Sequence, residues 1–170
     1  DRRTWQEGLA EAAVARGVHL KTRMKIAPGR LRQMQDEYDG IVDASGAPSV
    51  TSRAYGFSGR YLEDGLAAYQ AVLRGDFSAV WPRIAVRFLP DLSPERRPGY
   101  AWIFPKDPHR ANCGVICTRR GPRRGGDPNL KTLLRDVLAG EGLAGAEVLE
   151  TGGGLVPGRV LPRLVYDRIL

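Results

Sequence analysis

The run GYAWIFP, residues 99–105, narrows the possible folds more than any other stretch. Tyr100, Trp102 and Phe104 recur at every second position, and Pro105 closes the run. A period of two belongs to a β-strand and sets all three rings on one face. A second apolar run, 111–118, begins after KDPHR, where Asp107-Pro108 supplies turn chemistry. Strands at 100–104 and 111–118 therefore form a hairpin, and with it an antiparallel sheet.

The other elements fit around that pair. Residues 4–16 predict a helix, with Thr4 and Glu7 spaced as a capping box and Gly17 as its stop. Trp5, Leu9, Ala12 and Ala13 share its apolar face. A short strand is expected at 18–20, and another within 21–35, turning at Pro28-Gly29. Strands are expected again at 38–44, 66–74 and 83–89. Residues 128–139 predict a second helix, with Asp127 as N-cap, Pro128 in the first turn and a leucine-rich stripe. A last strand over 146–156 is expected to be interrupted at Gly152–Gly154. One helix, mostly strands, one helix and a strand make an α+β pattern, a mostly antiparallel sheet with two main helices.

At 170 residues, 42% hydrophobic and 26% charged, the composition is that of a globular domain. No apolar run reaches the length of a membrane helix, and the first residues carry no signal-peptide core. With two cysteines and no disulfide framework, a cytoplasmic location is the expectation. The net charge of +7 comes almost wholly from arginine. The basic loop RRGPRRGG (119–126) contains no interleaved aromatic residue, so no nucleic-acid partner is expected.

Single residues with reactive side chains offer little. Cys113 and Cys117 lie in one predicted strand, where four residues separate their Cα atoms by ~13 Å, too far for a disulfide. They read as small buried residues. No zinc site forms from two cysteines with His19 and His109 out of finger spacing. His109 sits in the hairpin loop with no nucleophile or carboxylate to make it catalytic, and no catalytic residue is assigned. The strand end DASGAPS (43–49) lets backbone approach a ligand closely. By spacing alone, the three rings read first as core packing.

Several of these pieces occur in a familiar order. DRRTWQEGLAEAAVARGVHL resembles the segment D-R-x-x-F-D-x-x-L-A…A…G of the geranylgeranyl reductase family, with Trp5-Gln6 in place of Phe-Asp. YDGIVDASGAPS resembles that family's strand and loop ending D-A-[ST]-G-x-x-S. PGYAWIFPKDPHRANCGV (98–115) resembles the signature P-G-x-Y-x-W-x-F-P-K…A-N-x-G, except that Gly99 directly precedes Tyr100. GGGLVPGRVLPRLVYDRIL resembles the stretch leading into the family's G-D-A-A-G flavin motif. The Tyr-x-Trp-x-Phe-Pro match is the specific one. These enzymes are FAD-dependent oxidoreductases of the para-hydroxybenzoate hydroxylase fold.

The resemblance implies a partial FAD-domain segment over residues 1–50 and a substrate-binding domain with the antiparallel sheet over 51–170. It implies a reaction in which reduced FAD reduces double bonds of a prenyl chain on a lipid or chlorophyll-type precursor, with the electron donor left unnamed. Tyr100, Trp102, Phe104, Pro105 and Asn112 would contact the apolar substrate, with Gly114 supporting the neighbouring strand. Arg2, Asp43, Ala44, Ser45 and Gly46 would lie near the flavin. The chain has no G-x-G-x-x-G turn for the pyrophosphate, so it is expected to be a central segment, inactive and without tight FAD binding by itself. A location peripheral to a membrane fits a prenyl substrate as well as a cytoplasmic one. Two alternatives stay open: a flavin monooxygenase or halogenase relative acting on an aromatic substrate, and a flavin-free module for apolar ligands.

Overall fold

Apolar residues dominate 66–74 and 110–118, and these segments become two central strands of a five-stranded sheet. The computed structural model describes residues 2–61, 65–89, 98–118, 129–158 and 163–170, leaving out the side chains of Arg2 and Arg3. The elements run α1 (Arg2–Val14), α2 (Pro28–Met34), α3 (Val50–Ala54), a 3-10 turn (Ser58–Tyr61), β1 (Leu66–Arg74), β2 (Ala85–Leu89), β3 (Gly99–Asp107), β4 (Arg110–Thr118), α4 (Leu130–Gly140) and β5 (Glu147–Val156). The sheet order is β2-β3-β4-β1-β5, and every neighbouring pair is antiparallel. The fold is thus α+β, as the strand alternation predicts.

The predicted hairpin is β3–β4. Its turn is held by Asp107, whose Oδ1 accepts from the His109 backbone N–H at 2.8 Å and whose Oδ2 accepts from Arg110 Nε at 2.8 Å. α4 lies across one face of the sheet, over β4 and β1. Its Leu134 and Leu138 bury against Ala71, Leu73, Ala101, Ile103, Ala111, Cys113 and Val115. Asn129 caps α4, its Oδ1 accepting from the N–H groups of Lys131 and Thr132 at 3.1 and 3.3 Å. Asn129→Ala is expected to lower unfolding free energy by about 1 kcal/mol, read as a shift in the urea midpoint. The predicted cap Asp127, the predicted first-turn Pro128 and the loop RRGPRRGG lie outside the described residues.

A second, smaller core joins Leu31 of α2, Val50 and Ala54 of α3, and Ile169. It therefore draws on segments from either side of residue 50 and on the C-terminal stretch. Ile41 forms a parallel bridge with Ile169, and Leu170 N–H donates to Ile41 O at 2.9 Å. α1 ends as its sequence predicts, with Gly17 at φ +92° and Val18 N–H reaching back to Ala13 O at 3.2 Å. Its apolar face adds no residue to either core, and Trp5 and Leu9 are 66% and 50% exposed.

Five expectations need correction. Thr4 does not cap the first helix, because α1 already begins at Arg2 and Thr4 lies inside it. Residues 18–20 form no strand, and the strand expected within 21–35 is replaced by α2. Pro28 does not turn the chain there; it occupies the first helical turn, where its missing N–H costs nothing, and Leu31 then docks on α3. The strand expected at 38–44 reduces to the single bridge at Ile41. β5 runs through Gly152–Gly154 without a break, because all three stay paired with β1. The helix α3 and the following 3-10 turn were not expected at all.

Candidate functional site

The sheet has two unlike faces, and its open one carries the rings. Ala101 and Ile103 are buried under α4, so the alternation of β3 turns Tyr100, Trp102 and Phe104 to the opposite side. Tyr100 and Phe104 each remain 37% exposed. Their centroids lie 6.0 and 6.1 Å from that of Trp102, so the three make a continuous aromatic row. The row continues onto the edge strand, where Val86 pairs with Trp102 and Phe88, 81% exposed, pairs with Tyr100.

Trp102 is the fixed member of the row. Its ring lies flat on Gly114, where an added Cβ would meet Trp102 Cζ2 at 2.2 Å. Its Nε1–H donates to Asn112 Oδ1 at 2.7 Å, and Asn112 Nδ2 donates to Gln70 Oε1 at 3.3 Å. Of the residues expected at a substrate wall, Tyr100, Trp102, Phe104 and Asn112 are brought together on this face. Pro105 is not: it pairs with the fully buried Ala111, on the α4 side of the strand. Gln70 joins the site without having been expected. Its signal was a lone amide in the apolar strand LAAYQAVLR.

The DASGAPS loop forms a second recess of about 370 Å³. Asp43, Ala44 and Gly46 line it, together with Phe57, Arg163 and Tyr166. The Asp43 carboxylate faces inward to its own loop, accepting from Ser45 N–H at 3.0 Å, Thr51 N–H at 2.6 Å and the Thr51 hydroxyl at 2.5 Å. Burial by itself would raise its pKa, but these hydrogen bonds from Ser45 and Thr51 outweigh burial and bring it down to about 2. Ser45 serves the loop too, its Oγ accepting from Val50 N–H at 2.8 Å. Phe57 stacks on Tyr166 at 4.7 Å, and the Arg163 guanidinium lies 4.9 Å above the same Tyr166 ring. Phe57 and Tyr166 lie too far apart in sequence for any periodic pattern to link them. Arg2 opens α1, and its side chain is outside the described residues.

Phe57 and Tyr166 spend their stacked faces on each other, Phe57 also stacks near Tyr61, and Arg163 covers Tyr166, so a flat ligand ring would meet their edges rather than a free face. No glycine-rich strand-to-helix turn stands among the described residues to take a pyrophosphate.

Nucleophilic chemistry has no carrier on β4. Cys113 and Cys117 lie buried on the α4 side, neither in a disulfide, and burial pushes the Cys113 thiol up to about 12. Folded protein is expected to resist a disulfide reagent such as Ellman's, with both thiols reacting only in urea. Rapid labelling of the native protein would contradict this placement. His109 is exposed at the hairpin tip. No group of three or more His, Cys, Asp or Glu positioned to hold a metal ion occurs among the described residues, and no helix there is long and apolar enough to cross a membrane. No protein-family model matches the chain.

Proposed function

We propose that this chain is the substrate-side part of an FAD-dependent oxidoreductase resembling the geranylgeranyl reductases, with the open sheet face as the wall along which a prenyl chain lies. The observation that carries this reading is the pinned aromatic row. Tyr100 and Phe104 stand exposed on the face that α4 leaves open, with the half-buried Trp102 between them held by Asn112. An isoprenoid offers only dispersion and apolar surface, so a wall for it needs broad rings and few polar groups. A fixed row also removes the entropy cost of ordering the site on binding.

The flavin, when bound, supplies the hydride chemistry. The residues of this chain exclude water along the row and orient the chain lying on it. Asp43 and Ser45 hold the loop that lines the second recess, and Phe57, Tyr166 and Arg163 would present their edges to the cofactor there. The aromatic row is complete without the recess, which favours a second reading, a flavin-free module that binds apolar ligands on the same row.

Calorimetric titration with farnesol tests the role of the row. Trp102→Ala is expected to weaken binding about tenfold, the loss of one aromatic contact, while a cooperative unfolding transition persists. Equal affinity in the variant, or no binding by the parent chain, would sink the assignment of this face. Incubation with FAD followed by gel filtration separates the two readings. The oxidoreductase reading expects at most substoichiometric flavin on this chain alone and full flavin on the longer enzyme. Lack of flavin on both favours the module.

A further inference from the structure

On the other side of the sheet from the aromatic row lies a cleft of about 280 Å³ between α4 and the β1–β5 side of the sheet. α4 packs over β4 and β1, and its placement leaves the cleft between itself and the approach to β5. Ala71 and Leu73 make the floor, Leu134 and Leu138 one wall, Leu143 and Ala146 the other. The lining is mostly aliphatic, with Val148 beside these residues and only Tyr69 and Thr132 adding an aromatic ring and a hydroxyl. Lys131 and Arg135 also line the cleft. They are four residues apart on α4, so they stand one above the other on one helix face.

The charge around the cleft is uneven. Glu141 is held by Arg87 at 2.7 Å, and Glu147 by Arg74 at 2.7 Å. The Lys131 ammonium has no ion-pair partner among the described residues, and Arg135 has only a long 3.4 Å contact to the exposed Asp136. Lys131 also sits in the first turn of α4, where the helix dipole already disfavours a cation and favours an anion.

We propose that this cleft binds a single-chain amphiphile with an anionic head, its apolar tail against the aliphatic walls and its head between Lys131 and Arg135. A volume of about 280 Å³ is at the lower limit for small-molecule sites and too narrow for a partner helix some 10 Å across. The cationic pair selects the head group. This site is separate from the prenyl row and does not rest on that reading, because the sheet itself lies between the two.

Calorimetric titration with octanoate, decanoate and dodecanoate, each below its micelle concentration, tests the assignment. Affinity is expected to rise about fourfold per added methylene until the cleft is full. Exposed Ala144 lies at the cleft, and Ala144→Trp is expected to abolish binding without touching the core. Reversing both charges, in Lys131→Glu with Arg135→Glu, is expected to weaken decanoate about tenfold and leave decanol unchanged. Farnesol binding should be indifferent to Ala144→Trp, so failure here is distinct from failure of the aromatic row. The proposal is overturned by no chain-length dependence, or by unchanged affinity in Ala144→Trp. It is equally overturned if the protein binds phosphatidylglycerol vesicles but no monomeric carboxylate. Self-association that Ala144→Trp abolishes, with no uptake of decanoate, would give the cleft to a second copy instead.

Discussion

Gly114→Ala is expected to lower the unfolding free energy by about 2 kcal/mol and to release the indole of Trp102. The added Cβ would lie 2.2 Å from Cζ2, 2.5 Å from Cη2 and 2.6 Å from Cε2 of that ring. The backbone of β4 cannot retreat, because β3 and β1 hold it on both sides. The ring must therefore swing outward. That breaks its 2.7 Å hydrogen bond to Asn112 and loosens the link from Asn112 to Gln70. The cost is one hydrogen bond of about 1 kcal/mol and a similar amount of lost packing. Urea unfolding measures the total, and a red shift in tryptophan emission reports the ring. The same substitution in a Trp102→Ala background is expected to cost less than about 0.5 kcal/mol, since nothing remains to displace. Equal costs in the two backgrounds would show that the ring is not seated on Gly114. Farnesol binding should fall with the ring in the Gly114→Ala variant, because the row is then broken at its centre.

That row shows how far the sequence could be read. Alternation places Tyr100, Trp102 and Phe104 on one side of β3, and Ala101 and Ile103 on the other. It does not say which side the helix takes. Burial of large rings would by itself favour the aromatic side as core. The helix instead lies on the side made by Ala71, Ala101, Ala111 and Cys113, where small side chains leave room for Leu134 and Leu138. The rings are thereby left for something else to cover. The predicted hairpin sets the strand of Gly114 beside that of Trp102, but the irregularity between Pro105 and Asp107 shifts the register, so the turn alone does not say which residue the ring rests on.

Local chemistry was legible where a single segment decides its own structure. The β3–β4 turn at Asp107 and the stop at Gly17 follow from residues adjacent in sequence. At α2, proline followed by glycine suits a turn as well as a helix start, and only Leu31 meeting Val50 and Ala54 decides between them. The pairing of β1 with β5 joins residues about eighty apart, as does the meeting of Ile41 with Ile169 over a longer span. Such contacts depend on the whole chain closing, and no window of sequence contains them. The recess at the Asp43 loop has the same origin. Its loop was visible as DASG, but Phe57, Arg163 and Tyr166 arrive from elsewhere.

Asp43→Ala is expected to destabilise by about 3 kcal/mol, because Asp43 is the acceptor on which its loop closes. Its removal strands the N–H groups of Ser45 and Thr51 and the Thr51 hydroxyl, and Thr51 is buried. Asp43→Asn should recover only part of this loss, since an amide keeps one acceptor oxygen and turns a donor toward other donors. The pH dependence separates the charge from the packing. The carboxylate ionises at about 2 in the folded chain against an ordinary 3.8. A lowered folded pKa means the stabilisation is complete above the ordinary value and is lost as pH falls through the folded one. Solvent reaches part of this carboxylate, so the pH-dependent share is reduced to about 1–2 kcal/mol. The gap between parent and Asp43→Asn in urea is therefore expected to be constant from pH 7 to pH 5 and to narrow from pH 4 toward pH 2. Amide exchange at Val50 and Thr51 should quicken in both variants, while exchange in β4 follows only the global change. A gap that stays constant down to pH 2 would mean the carboxylate is not the charged acceptor of this loop.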